Sequence, residues 1–214
     1  GGGLVFHAMY DSPIPFFELS QVRRQSVQSP VHRFAMAVRK GEVLIPEMAL
    51  KTLSESPDCC VLPPSLDRLT HFWEDAGALS DRIILSPRRS GDWGVTSLNT
   101  HFQKILGSER DDLHYLDPVL VTRNIYDDEL DVRNGDLGII TEVFQSVSAE
   151  GWSGVVYING ERKGINQELL EVLDLGYAIS IHKAQGSQWH TVFSVVTSEA
   201  RRMLDASMVY TAAT

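Results

Sequence analysis

The chain has 214 residues, 43% hydrophobic and 22% charged, an ordinary globular balance that leaves room for one large domain or for a domain carrying an inserted module. No apolar run approaches the roughly 20 residues of a membrane span, and no charged-then-apolar leader is read at its start. A net charge of -9 argues against a protein that coats duplex DNA through bulk charge. A local basic groove stays open, because fields act within a Debye length of about 8–10 Å.

Cys59 and Cys60 are adjacent, so they offer neither a disulfide nor a metal framework, and an intracellular, cytoplasmic setting is the default expectation. No HExxH or Cys/His ligand spacing occurs among the seven histidines, so no metal site is expected. Both ends read as cut: the chain opens on Gly1-Gly2-Gly3 and stops at Tyr210–Thr214 inside a predicted helix, as expected of part of a longer protein.

Residues 1–18, with Pro13 and Pro15, read as a connector. Glu18–Ser26 (ELSQVRRQS) places Arg23 and Arg24 between Gln21 and Gln25. Adjacent arginines are commonly an exposed basic turn; the functional reading is a phosphate sensor, since guanidinium binds phosphate oxygens bidentately. Ser29-Pro30 suits an N-cap followed by a first helical position, with Val31, Phe34, Ala35 and Val38 inward and Gly41 as the stop. After an irregular stretch broken by Pro63-Pro64, Ser65–Ala78 reads as a helix with Leu66, Leu69, Phe72, Trp73 and Ala76 on one side. A short strand Arg82–Leu85 runs to Ser86-Pro87, and a loop Arg88–Gly94 leads to a third helix, Thr96–Leu106. There Leu98, Phe102, Ile105 and Leu106 are predicted inward, while Asn99 and Gln103, four apart, can reach one ligand or stand as solvated polar positions.

This alternation indicates α/β architecture. The texture changes near Asp117. Pro118–Thr122, Leu137–Phe144 and Gly154–Ile158 are β-branched runs separated by the turn signals Asn134-Gly135-Asp136 and Asn159-Gly160, and Gln167–Leu173 is a further candidate strand. Residues 113–175 therefore read as a small antiparallel barrel inserted into the α/β domain, a type of fold on which single strands of nucleic acid often lie.

The α/β pattern resumes in YAISIHKAQGSQWHTV. The apolar Ala178, Ile179 and Ile181 run into a polar elbow, Lys183-Ala184-Gln185-Gly186-Ser187, and Trp189–Val196 then reads as a buried parallel strand. The elbow gathers a cation suited to phosphate, an amide, a hydroxyl and a glycine that admits close backbone approach. By itself it is equally an ordinary solvated turn. Ser198–Leu204 and Ala206–Thr214 look helical. Trp73, Trp93, Trp152 and Trp189 could each stack on a base, core burial being the better reading for Trp73 and Trp189.

In order, ELSQVRRQS, ILSPRRSGDWGVTSLNTHFQ, DPVLVTRNIYDDELDVRNGDLGIITEV, AISIHKAQGSQWHTV and MVYTAAT resemble the C-terminal motor half of RecD-like superfamily 1 DNA helicases, the family of the exodeoxyribonuclease V alpha subunit. The resemblance covers most of the chain. It implies that residues 19–112 and 176–214 form the second RecA-like motor domain, that 113–175 are an SH3-like β-barrel, and that 1–18 connect to an N-terminal motor domain. Arg24 then corresponds to the arginine on the γ-phosphate of ATP, where it would stabilise charge during phosphoryl transfer; Arg23 stands where the family often has an apolar residue, which leaves open which arginine faces ATP. Gln185 and Gly186 correspond to nucleotide-facing positions. Ser180, His182, Lys183 and Ser187 correspond to positions facing single-stranded DNA, as do Pro87 and Asn99 of another motif, and Arg123-Asn124, which match a barrel signature, are expected among the DNA-binding residues.

The implied function is an ATP-dependent helicase or translocase moving 5′ to 3′ in DNA repair or recombination, with no membrane partner and with other recombination or exonuclease subunits as candidate partners. No GxxxxGK[ST] loop and no acidic magnesium-binding strand occur, so ATP with Mg²⁺ would need the N-terminal motor domain and this segment alone is expected to be inactive. A catalytically silent RecD-like segment of a conjugative relaxase and a structural subunit of a recombination complex are the rival readings. A small-molecule α/β enzyme lacks a nucleophile–base pair.

Overall fold

The computed structural model of the chain describes residues 36–37, 65–106, 113–127 and 130–196. Met36 and Ala37 are helical, within the helix expected after Ser29. The Arg23-Arg24 segment and the two expected C-terminal helices lie outside the described residues.

Ser65 caps helix α1 (Leu66–Asp75), its side chain accepting the Arg68 N–H. The helix buries Phe72 and Trp73, and Gly77, at φ +83°, ends the path beyond it. A 3₁₀ turn, Leu79–Asp81, leads into strand β1 (Arg82–Ser86), buried along its whole length. Burial of Arg82 is offset by its guanidinium lying 4.6 Å over the Trp73 ring and donating to the Trp73 and Glu74 carbonyls. Desolvation still lowers its pKa below the ordinary arginine value.

Helix α2 (Val95–Leu106) follows. Its inward stripe is Leu98, Asn99, Phe102 and Gln103, whereas Ile105, expected inward, is 40% exposed. Two polar residues thus occupy the buried face, rotated by one position from the purely apolar one. Then come β2 (Pro118–Val121), β3 (Leu137–Val143), β4 (Gly154–Ile158), β5 (Glu161–Gly164), the single-turn helix α3 (Gln167–Leu170), β6 (Leu173–Leu175), β7 (Ala178–Ser180) and β8 (Thr191–Ser194). The expected strand over Gln167–Leu173 is therefore a helical turn plus the start of β6. Asn166 caps that turn by accepting the Leu169 N–H at 2.8 Å.

Two sheets result. β7, β1 and β8 form a parallel sheet in that order, and β5-β4-β3-β2-β6 form an antiparallel sheet. The β4–β5 hairpin turns on Asn159 (φ +53°) and Gly160 (φ +86°), the pair of positive dihedrals that a two-residue hairpin with the right twist requires. β8 is at one side of the described parallel sheet and alternates half-buried with exposed residues, rather than being buried on both faces as its apolar run implied.

Trp73, Ile84, Leu98, Phe102 and Tyr177 fill the side of the parallel sheet covered by the helices. Ile83, Leu85, Ile179, Ile181 and Ala184 fill the other, joined there by Leu120 of β2. Because strand side chains alternate, Val119 and Val121 point instead into the core of the antiparallel sheet, with Val132, Ile140, Val156 and Ile158. β2 thus belongs to both cores, each fully buried aliphatic side chain contributing roughly 1.5–3 kcal/mol. Among the described residues no helix is long and apolar enough to cross a membrane.

Candidate functional site

β1 and β7 run parallel and end level, with Ser86 opposite Ser180. The segments that follow them emerge from one carboxyl edge, where open α/β sheets carry ligands. After β1, the buried Ser86 hydroxyl donates to the Trp93 carbonyl (2.7 Å) and accepts the Arg88 N–H (3.2 Å), closing the loop on itself. The N–H groups of Val95 and Thr96, at the start of α2, go to the carbonyls of Arg88 and Arg89. Gly94 is required here, since a Cβ would lie 2.5 Å from the Ser90 backbone. Pro87 is buried in this closed loop and so does not face an exposed surface.

Asn99 is likewise not presented to solvent. Its amide donates to the carbonyls of Leu175 (2.9 Å) and Ala178 (3.0 Å), and its oxygen accepts the Ala178 N–H (2.7 Å). It clamps α2 to the backbone where the chain passes from β6 to β7. Gln103 does not share a ligand with it. Its amide donates to Asp117 Oδ2 at 2.8 Å, an oxygen that also accepts the His114 N–H at 2.7 Å. The buried Asp117 carboxylate takes a third bond from the Tyr177 hydroxyl. These side chains organise the two crossings between the sheets, and sequence reading had assigned them no such task.

After β7 the chain folds into overlapping turns over 181–186. The N–H groups of Lys183 (2.9 Å) and Ala184 (3.2 Å) return to the Ser180 carbonyl, and Ser187 N–H to Ala184 (3.0 Å). The Ser180 hydroxyl, half-buried, receives a longer contact from Lys183 N–H. Ile181 and Ala184, three apart, are buried in the core and anchor the elbow. His182, Gln185, Gly186 and Ser187 are left exposed, so the turn is a polar face pinned by two apolar residues. Gly186 takes φ +92°, and nothing lies within 4 Å of where its Cβ would stand. Backbone conformation, not crowding, explains the glycine.

Lys183 reaches across to the second sheet. Its ammonium donates to Asn134 Oδ1 at 3.2 Å. The Asn134 N–H donates to Asn124 Oδ1 (2.7 Å), and the Asn124 amide donates to the Tyr126 hydroxyl (2.8 Å). The structure therefore brings Lys183 and Asn124 into one chain of hydrogen bonds, with Arg123 exposed beside Asn124 in sequence. Asn134 and Tyr126 complete it. The sequence marked Asn134 only as a turn residue, and its one other signal was the proximity of Tyr126 to the Arg123-Asn124 pair. Among the described residues no group of three His, Cys, Asp or Glu side chains could hold a metal ion.

Residues 175–214, which include β7, the elbow and β8, match the UvrD-like helicase C-terminal domain. Over 94% of its length the chain is 30% identical to the ATP-dependent RecD2 DNA helicase of Deinococcus radiodurans, covering 27% of that protein. Over 66% of its length it is 30% identical to the RecBCD enzyme subunit RecD of Mycolicibacterium smegmatis, covering 24% of it. It thus spans about a quarter of these relatives. A Pif1 helicase from Bacteroides, solved with ADP-AlF3 and single-stranded DNA, shares the fold with a TM-score of 0.55 at 15% identity, over 92% of this chain and 48% of that one.

Proposed function

We propose, from the kinship of this chain with the RecD-type DNA helicases, that it forms the second RecA-like motor domain of an ATP-driven helicase or translocase that moves 5′ to 3′ on single-stranded DNA in repair or recombination. The observation that carries this reading is the elbow: an exposed polar face at the carboxyl edge of two level parallel strands, inside the segment that matches the helicase C-terminal domain. ATP with Mg²⁺ would sit between this domain and a first motor domain that supplies the phosphate loop and the magnesium ligands.

In this reading Gln185 and Gly186 face the nucleotide, and the open space at Gly186 leaves its backbone approachable. Arg24, with Arg23 as its neighbour, supplies the guanidinium for the γ-phosphate. His182, Lys183 and Ser187 face the DNA strand, with Ser180 holding the start of the turn. Nucleotide and DNA contacts then share one turn of backbone, so a displacement of either is felt by the other. The antiparallel sheet corresponds to an SH3-like barrel lying along the strand. Asn99, buried and fully engaged, acts in this scheme only by holding β7 in place.

The test is ATP hydrolysis by the intact protein with and without single-stranded DNA, comparing wild type with Gln185→Ala. Stimulation by DNA that is lost in the variant is the expected outcome. DNA binding without any hydrolysis would replace the motor reading by that of a silent binding segment.

A further inference from the structure

We propose that Tyr126 is a stacking platform for a nucleobase, tied to the elbow through Asn124 and Asn134; the inference rests on the single-stranded DNA reading above. Tyr126 is 78% exposed, so folding gains little from its apolar surface. It is nonetheless held. Asn124 donates to its hydroxyl at 2.8 Å and is itself fixed by the Asn134 N–H, while Asn134 Oδ1 receives Lys183. Water could satisfy an exposed phenol equally well, so these bonds add little stability. They do set where the ring stands relative to the elbow. An aromatic side chain oriented in advance and left uncovered suits a flat, sequence-tolerant partner, and every base offers a π-face.

The charges around it fit the same partner. Arg123 is exposed, and Lys183 stands at the far end of the hydrogen-bonded chain, so cations accompany the ring as a phosphate backbone requires. Asp127, the next residue, is acidic and exposed, which favours running the phosphates on the Lys183 side. Asn124 is on this account a positioning residue for Tyr126 rather than a DNA contact. One strand would then touch both sheets, with a base on Tyr126 and phosphates at the elbow.

The experiment titrates the intact protein with fluorescent oligothymidylate at several salt concentrations. Tyr126→Ala is expected to weaken binding roughly 5- to 150-fold with the salt slope unchanged, because a stacked base and not a phosphate contact is lost. Tyr126→Phe keeps the ring but gives up the hydroxyl that Asn124 holds, so it should lose only as much as a freed ring does, far less than Tyr126→Ala. Asn124→Ala keeps the ring but frees it, and about a two- to tenfold loss is expected. Exposure of the ring makes all three variants compatible with folding, which near-ultraviolet circular dichroism checks. Equal binding by Tyr126→Ala, or a loss in Tyr126→Phe as large as in Tyr126→Ala, overturns the platform while leaving the DNA reading intact. Absence of single-stranded DNA binding by the wild type overturns both.

Discussion

Tyr177 donates its hydroxyl hydrogen to Asp117 Oδ1 at 2.6 Å across 60 residues of sequence. Asp117 stands where the chain leaves for the antiparallel sheet and Tyr177 where it has come back, so the bond ties departure to return. Tyr177→Phe keeps the ring in its cluster with Trp73 and Phe102 and removes only this donor. A loss of about 1.5–3 kcal/mol in unfolding free energy is expected, as for a hydrogen bond to a charged group. A shifted urea midpoint with an unchanged slope would check it.

The same tyrosine sets an alkaline limit. Burial first, then the Asp117 carboxylate, push its phenol well above the ordinary value of 10.0, so it keeps its proton in the folded chain. The unfolded chain loses that proton near its ordinary value. Stability from this residue is therefore complete below about pH 10 and declines above it. Tyr177→Phe should flatten the alkaline decline, measured as the urea midpoint against pH.

On the acid side the informative group is His101. The single Thr70 hydroxyl proton goes to the Leu66 carbonyl (2.9 Å), so His101 Nε2 must be the donor in its 2.9 Å contact with Thr70. Burial lowers the pKa of His101 below the ordinary 6.5 by more than Asp67 raises it. The folded ring is thus neutral where the unfolded one takes up a proton. Stability should fall as pH drops through about 6.5 and level off once the folded ring also protonates. In His101→Gln that acid slope should be reduced.

Replacing Asn99 with Ala separates a structural role from a DNA contact. The change strips partners from the Ala178 N–H and carbonyl and from the Leu175 carbonyl. A loss of about 2–4 kcal/mol in stability is expected. The salt dependence of single-stranded DNA binding, measured well below the midpoint, should be unchanged; a reduced slope would return Asn99 to the DNA face.

Lys183→Ala is expected to do the reverse. Lys183 is half-exposed and its one partner among the described residues is the neutral Asn134 amide, so stability should move by less than about 1 kcal/mol. The salt slope of DNA binding should shrink by about one unit, the signature of one lost phosphate contact. A full slope in the variant would mean that Lys183 serves only to hold Asn134.

Where physics acts locally, the sequence was readable. The helix from Ser65 with Phe72 and Trp73 inward, Asn159-Gly160 as a hairpin turn, Leu98 and Phe102 as core and the break in texture at Asp117 all express short-range rules. The failures share a cause. β5 reads Glu-Arg-Lys-Gly and has no strand pattern because pairing to β4, not its own side chains, makes it a strand. α3 is one turn, too short for helical periodicity, and only its Asn166 cap announced it. In α2 a purely apolar criterion chose Ile105 over Asn99 and Gln103, since no local rule shows that the backbone of β7 and the carboxylate of Asp117 await those amides. The elbow was legible as a polar break between strands. Its link to Tyr126 was not, because Lys183 and Asn134 are 49 residues apart.

The Gly176 N–H donates to the Pro118 carbonyl at 2.7 Å, and a Cβ on Gly176 would come within 3.0–3.2 Å of the Val119 backbone. Exit and re-entry of the antiparallel sheet are therefore one doorway. The strands beyond this threshold can be lengthened, trimmed or exchanged for another cassette without rerouting β1, β7 or β8, so long as the replacement brings its two ends together here and keeps an apolar side chain where Leu120 packs on the parallel sheet. A lineage could thus re-tool the surface beside the elbow while inheriting the parallel sheet untouched.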